Sequence, residues 1–267
     1  EHTLNNCTAW PPACKMPAMN RLPALPACCT PLRDEWPLPQ ALPGSVWFST
    51  GFTPARLTAD DFASSAIEMP ASIQRSVAKR QTEFLAGRVC ARAAMLQLDG
   101  TRAIPAIGED RAPVWPAHIS GAITHSNGTA AAIVGLKSQW QGLGMDLENM
   151  LSTERAERLA KEILTPDELR AMAAGAAQDI ALLVTLTFSV KESLFKALFP
   201  LVKKRFYFEH AQVLSWSREG HVRLRLLTDL SPEWQQGQEL DAQFALYHGQ
   251  LLSVVAISAA SDFPACR

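Results

Sequence analysis

Three carboxylates and one amine in the second half of the chain have the types and spacing to act together. In Gly142-Leu-Gly-Met-Asp-Leu-Glu148 the two acids, Asp146 and Glu148, are two residues apart. On a strand both face one side, while Met145 and Leu147 face the other. Further on, Thr187–Pro200 reads TFSVKESLFKALFP, an apolar pattern of helical spacing interrupted by Lys191, Glu192 and Lys196. Glu192 lies on the helical line of Phe188 and Lys196 and beside Phe195, at the edge of the apolar stripe. A helix packed on a sheet can aim such a carboxylate at the sheet's own acidic pair. Two unit charges at about 4 Å and an effective dielectric near 20 repel by on the order of 4 kcal/mol. Such a cluster therefore holds a proton or binds a cation, and an all-oxygen set suits magnesium together with substrate phosphate oxygens. Read singly, Asp146 and Glu148 also fit solvated residues at a strand end, and Glu192 a helix-surface partner of Lys196.

The elements that must carry these groups follow from the pattern. Residues 1–42 hold much of the proline and predict an irregular, partly extended arm. A strand is expected at 44–52, a helix opened by Thr58-Ala-Asp-Asp, and a long helix over about 75–98. Ser126-Asn127-Gly128 joins two β-like runs as a hairpin. Then come a strand at 142–148, a helix near 152–163, a capping signal at Thr165-Pro-Asp-Glu, helices near 166–176 and 179–199, and strands near 206–216, 221–228 and 241–259.

Two segments look alike. TADDF (58–62) parallels TPDEL (165–169), and EFLAGRVCARAA (83–94) parallels TFSVKESLFKAL (187–198). Phe84 then matches Phe188, Arg88 matches Glu192 and Arg92 matches Lys196. Each half also closes with a strand pair, which predicts a duplicated α/β unit with its seam near 137–143. The division is an arm at 1–42, a first half at 43–140 and a second at 141–267.

Composition bounds the rest. With 267 residues, 48% of them hydrophobic, the chain can build a substantial core. Its 25 basic and 26 acidic residues leave a net charge of −1, so any anion site must be local, and a nucleic-acid binder is disfavoured. No apolar run has the length of a membrane span, and early prolines prevent a signal-peptide core, so a cytoplasmic protein is expected. Cys7, Cys14, Cys28 and Cys29 in the arm form no CxxC pair and predict reduced thiols on a surface extension rather than a zinc site.

Gly144-Met145-Asp146 followed by Phe188-Ser-Val-Lys-Glu-Ser-Leu-Phe-Lys196 resembles the signature of the 4′-phosphopantetheinyl transferase superfamily. KRQTEFLAGRVCAR (79–92), RAPVWP (111–116), HISGAITHS (118–126) and GLGMDLE (142–148) resemble blocks of its monomeric surfactin-type and enterobactin-synthase component D-like branch. Met145 stands where the family usually has Ile or Val, and Phe188 where many members have Trp; both changes keep an apolar residue. The resemblance spans about residues 44–258.

It implies an α+β fold of two similar α/β halves related by pseudo-twofold symmetry, with coenzyme A between them. It also implies transfer of the 4′-phosphopantetheine arm to a serine of an apo acyl or peptidyl carrier protein, releasing adenosine 3′,5′-bisphosphate. Carriers of fatty-acid, polyketide, siderophore and nonribosomal-peptide assembly all come into view. By resemblance, Mg2+ sits on Asp146, Glu148 and Glu192, and Glu192 takes the serine proton directly or through water. Lys196 reaches the pyrophosphate, and Arg80, Arg88, Arg92, Arg111 and His125 bind the 3′-phosphate. Lys203-Lys-Arg205 is a candidate carrier-docking run. The rival readings are a binding module that has lost turnover and another magnesium-dependent phosphate enzyme; the latter is weakened by the lack of a GxxxxGK[ST] loop.

Overall fold

The computed structural model describes residues 23–108, 110–176 and 179–259. The predictions concerning Cys7 and Cys14 fall outside that range. The first half forms β1 (Ser45–Gly51), β4 (Ile119–Ser126) and β5 (Thr129–Leu136), an antiparallel sheet of order β1-β5-β4 whose central strand β5 is a small and apolar run buried on both faces. The β4–β5 hairpin turns at Asn127 and Gly128, whose φ angles of 37° and 83° are both left-handed, the geometry that favours Asn-Gly. Between β1 and β4 come short α1 (Asp61–Ser64) and α2 (Ala71–Gln74), then α3 (Ala78–Asp99), and a small ribbon of β2 (Ala106–Ile107) and β3 (Pro113–Val114).

β6 (Trp140–Asn149) leads into α4 (Thr153–Ile163), α5 (Pro166–Ala171) and α6 (Ile180–Val202). The chain then returns through β7 (Ala211–Trp216), β8 (His221–Leu226), β9 (Glu239–Tyr247) and β10 (Gln250–Ser258). Their sheet runs β6-β10-β9-β8-β7. The run at 241–259, which holds the predicted closing strand pair, lies in the β9–β10 hairpin, and His248 and Gly249 both adopt positive φ where the chain reverses. The strand predicted at 206–216 starts only at Ala211, after a 3₁₀ turn at Phe208–His210.

The result is a mixed α/β fold in which α3 packs on the first sheet and α6 on β6 and β10 of the second. Opposite the helices, Trp47, Ala131 and Ile133 of one sheet share a core with Leu143, Met145, Leu147, Leu252 and Val254 of the other. Leu147 N–H donates to Thr124 Oγ1 at 3.0 Å, and Gln250 Nε2 donates to Ser126 O at 3.0 Å. These bonds fix the end of β4 against β6, where the acidic pair lies, and against its neighbour β10.

The described part of the arm, 23–42, is irregular, as predicted, but is not a detached extension. It bridges to β1 and the residue after it through Arg33↔Ser49 and Cys29↔Phe52. Leu38 enters the shared core, and Gln40 N–H donates to Gln243 Oε1 on β9 at 2.8 Å. Cys28, predicted as a surface thiol, is only 2% exposed. The buried Asp61 carboxylate accepts the Ala27 and Cys28 amides and so draws this stretch inward. Thr58 does not cap α1 with its side chain; its own N–H donates to Asp61 Oδ2 at 3.1 Å.

Candidate active site

Local sequence brings α6 unusually close to β6. A Cβ added at Gly144 would overlap Ser193 O and lie 2.5 Å from Ala197 N, and one at Gly142 would lie 2.5 Å from Ala197 O. All three obstacles are backbone atoms, so only glycine permits this approach. At that distance Lys196 reaches the strand, its Nζ donating to Met145 O at 3.0 Å and to Asp146 Oδ1 at 2.7 Å. Met145 and Leu147 point into the shared core, as the alternation predicts, leaving Asp146 and Glu148 on the α6 side.

The electrostatics match a crowded acidic face. The Glu148 carboxyl is pushed up to about 7, by burial first and then by Asp146 and Glu192, against the pull of Lys196. Glu192 is also raised, by burial and by Asp146, with Lys196 opposing. Asp146 Oδ2 is buried and makes no hydrogen bond. Such an oxygen is costly to leave unpartnered, and it marks where a cation would be stabilised. As placed, no three His, Cys, Asp or Glu side chains among the described residues converge as a metal-ligand group. Lys196 holds one oxygen of Asp146, so the carboxylates form an acidic face rather than a closed cage.

A carboxyl whose folded pKa is raised stabilises the fold below its unfolded value of about 4.3, and that contribution is lost as pH rises through about 7. Without divalent cations, the melting temperature is therefore expected to fall between about pH 5 and pH 8, and Glu148→Gln to flatten the fall. An unchanged slope in Glu148→Gln, read by thermal unfolding in chelator, would remove Glu148 from the cluster.

At the end of β4, His125 joins the first-half helix to this face. Arg80 NH1 lies 3.1 Å from His125 Nε2, and Glu83 Oε2 lies 3.7 Å from His125 Nδ1 and 3.6 Å from Arg80 NH1. A guanidinium only donates, so Nε2 accepts and the ring proton sits on Nδ1, facing Glu83. Burial lowers the His125 pKa; Glu83 and Asp146 oppose this, while Arg80 and Lys196 add to it. The imidazole is thus poised between the cationic and the acidic groups. The partner Glu83 was not singled out from sequence, although its i,i+3 spacing from Arg80 was a visible signal.

A cleft of about 610 Å3 opens between β4, the loop before it and the C-terminal part of α6, with Arg111, Glu192, Lys196, Lys203 and Arg205 on its walls. Arg111 adopts φ 67°, a left-handed conformation uncommon outside glycine, in a turn closed by its N–H to Gly108 O at 2.9 Å. Strain of this kind is typical of segments that present a side chain to a ligand.

Two predicted phosphate ligands are placed differently. Arg88 is buried, stacks 4.5 Å above the Phe84 ring, and donates Nε to Pro105 O at 2.7 Å. Arg92 is buried and donates to Ser65 O, while its Nε makes no hydrogen bond. Neither lines the cleft, nor do Arg80, His125, Asp146 and Glu148; what sets Arg88 and Arg92 apart is that their guanidiniums are buried against backbone. Both hold the segments covering α3, and their contacts are to backbone carbonyls. Burial holds the Arg88 guanidinium down to about 10, with Arg80 contributing.

Comparison with known proteins defines the class. A profile of the 4′-phosphopantetheinyl transferase N-terminal domain matches residues 68–135, and one of the 4′-phosphopantetheinyl transferase superfamily matches residues 142–251. Enterobactin synthase component D of Escherichia coli (strain K12) is 39% identical over 166 residues, 62% of this chain and 76% of that protein. The 4′-phosphopantetheinyl transferase PptT of Mycobacterium tuberculosis is 35% identical over 143 residues, covering 53% of this chain and 61% of that protein. The 4′-phosphopantetheinyl transferase Npt of Nocardia iowensis is 33% identical over 149 residues, 55% of this chain and 65% of that protein.

The chain belongs to the 4′-phosphopantetheinyl transferase superfamily. It is a transferase that moves phosphopantetheine from coenzyme A to a carrier protein. Among the described residues no helix is long and apolar enough to cross a membrane.

Proposed function

We propose that transfer is magnesium-dependent, that Asp146, Glu148 and Glu192 hold the ion, and that adenosine 3′,5′-bisphosphate leaves. The carrying observation is the buried, unpartnered Oδ2 of Asp146 on a face where two further carboxyls are held above their ordinary range. Bound there, Mg2+ would neutralise pyrophosphate charge and leave the carboxylates ionised. Glu192 stands where burial favours a proton acceptor, and it takes the proton of the incoming serine hydroxyl directly or through a water. The serine oxygen bonds to the pantetheine-bearing phosphorus as the bond to the nucleotide's phosphate oxygen breaks. Lys196, released from Asp146, donates to that leaving oxygen, a positioning-plus-charge contribution of the kind that dominates phosphoryl transfer.

Arg80, Arg111 and His125 take the remaining phosphates, and the guanidinium forks bind them at two oxygens. Arg88 and Arg92 add positive potential from beneath, because no carboxylate contacts either one among the described residues. The relatives named for enterobactin synthase make a siderophore-assembly carrier the first to try, with fatty-acid and polyketide carriers next. The assignment of a monomer acting in the cytoplasm belongs to the same reading.

The test is intact-mass spectrometry of an apo carrier protein incubated with this protein, coenzyme A and magnesium. A gain of about 340 Da that a chelator abolishes supports the reading. Glu192→Gln is expected to slow the gain by about 10³-fold while coenzyme A still binds, in the range of a lost general base and metal ligand. Undiminished transfer in chelator, or in Glu192→Gln, would sink it.

A further inference from the structure

The motif residue Lys191 has no part in the chemistry above, yet all three of its ammonium protons are engaged. Its side chain is 2% exposed, and its Nζ donates to Ile163 O at 3.0 Å, Glu168 Oε2 at 2.8 Å and Phe208 O at 3.0 Å. An ammonium has three protons, so all its donors are used. Glu168 is equally committed. Oε2 also accepts the Thr165 amide at 2.6 Å, closing the capping box of α5, and Oε1 accepts the Val213 amide of β7 at 2.6 Å. One buried ion pair thus ties the end of α4, the start of α5, the 3₁₀ turn and β7 to the turn of α6 that bears Glu192.

The tie has a specific geometric product. A second cavity, of about 200 Å3, lies beside Glu192. One wall is α6, through Lys191, Glu192 and Phe195, and the other is the returning segment Arg205–Phe208. Lys191 bonds the backbone of that second wall at Phe208, and the Phe208 ring lies 5.4 Å from Phe188 of α6. The same returning segment begins with Lys203 in a left-handed conformation, followed by the exposed Lys204 and Arg205, and it shares Arg205 with the main cleft. The segment is also anchored by Phe206, which enters the core 5.3 Å from Phe195, and by the Lys204 bond to Asp229 O at 2.7 Å, so the Lys191 bond at Phe208 sets the position of its far end.

We propose that Lys191, through its pair with Glu168, is a positioning residue: it holds the Lys203–Phe208 segment as the wall facing Glu192, across which the carrier serine must arrive. The inference rests on the role given above to Glu192. A buried pair is a poor source of net stability compared with apolar packing, but it defines one arrangement of the groups it bonds. Here the arrangement sets the approach to the proton acceptor, and a displacement of about 1 Å at such a point costs on the order of 10²-fold in rate.

The test removes both charges together, in Lys191→Met/Glu168→Gln, so that neither is left buried alone. Expected are a fall in transfer at saturating substrates of about 30-fold, a coenzyme A affinity by calorimetry within about threefold of the parent, and trypsin cleavage after Lys203, Lys204 or Arg205 about tenfold faster. Glu192→Gln should leave the trypsin rate unchanged, which separates this wall from the chemistry at Glu192. Should the double variant fail to melt cooperatively, Phe208→Ala tests the wall without touching the pair, and the same split is expected. Transfer within threefold of the parent in a folded variant would overturn the proposal. So would loss of coenzyme A affinity in proportion to turnover. Full activity in Glu192→Gln would instead overturn the underlying role of Glu192.

Discussion

Asp146→Asn is expected to reduce phosphopantetheine transfer by about a thousandfold, roughly 4 kcal/mol of lost transition-state stabilisation, in a protein that still folds. The substitution keeps shape and removes one charge. Asp146 is the member of the acidic face with an oxygen buried and unbonded, so it has the most to give to a cation. Its other oxygen, 2.7 Å from Lys196 Nζ, holds that amine against β6. Losing the charge therefore removes the proposed cation site and frees Lys196 at the same time. The fold should tolerate it, because Lys196 is 29% exposed and can turn toward water, while Glu148 and Glu192 lose a repelling neighbour. The checks are the initial rate of carrier mass gain and magnesium titration by calorimetry. A folded Asp146→Asn that retains more than a tenth of the rate would show that the acidic face is not the catalytic centre.

Gly144→Ala is expected to be nearly as damaging for a different reason. The added methyl would overlap Ser193 O and press on Ala197 N, both in the backbone of α6. Neither can rotate aside, so the helix must move away from the strand. Overpacking of this kind costs about 3 kcal/mol, and the displaced Glu192 and Lys196 should lose transfer by about 100-fold or more. Thermal unfolding and the same mass assay measure the two effects separately. A variant with the parental melting temperature would mean that the helix and strand are not in the close contact seen here.

Much of this architecture is legible along the chain. The alternation around Asp146 and Glu148 placed both acids on one face, because side chains on a strand alternate irrespective of what surrounds it. The Asn127-Gly128 pair set the hairpin that carries His125 at its end, because few residues accept consecutive left-handed conformations. The Thr165–Glu168 capping box formed as read, since both of its bonds are local.

Where sequence reasoning stopped short, the missing information was long-range. Arg88 and Arg92 have the type and helical spacing of phosphate ligands, yet the chain crossing above α3 offers Pro105 O and Ser65 O, and the guanidiniums take them. Cys28 reads as a thiol in a proline-rich arm, but a carboxylate 33 residues away bonds its amide and draws it inside. The glycines of GLG were visible, while their use, the seating of α6, depends on a helix some 50 residues later.

From sequence alone came the chemical inventory: three carboxylates and an amine of defined spacing, on a strand and a helix of opposite periodicity, in a family whose motif they match. Periodicity and turn chemistry are local properties of the backbone and need no partner. Only the tertiary structure decided which charges meet. It put Lys196 on Asp146, left one oxygen of that residue bare, turned Arg88 and Arg92 onto backbone, and committed Lys191 to Glu168 and two backbone carbonyls. Each of those choices is a competition among partners distant in sequence, settled by burial, which makes an unmade bond costly.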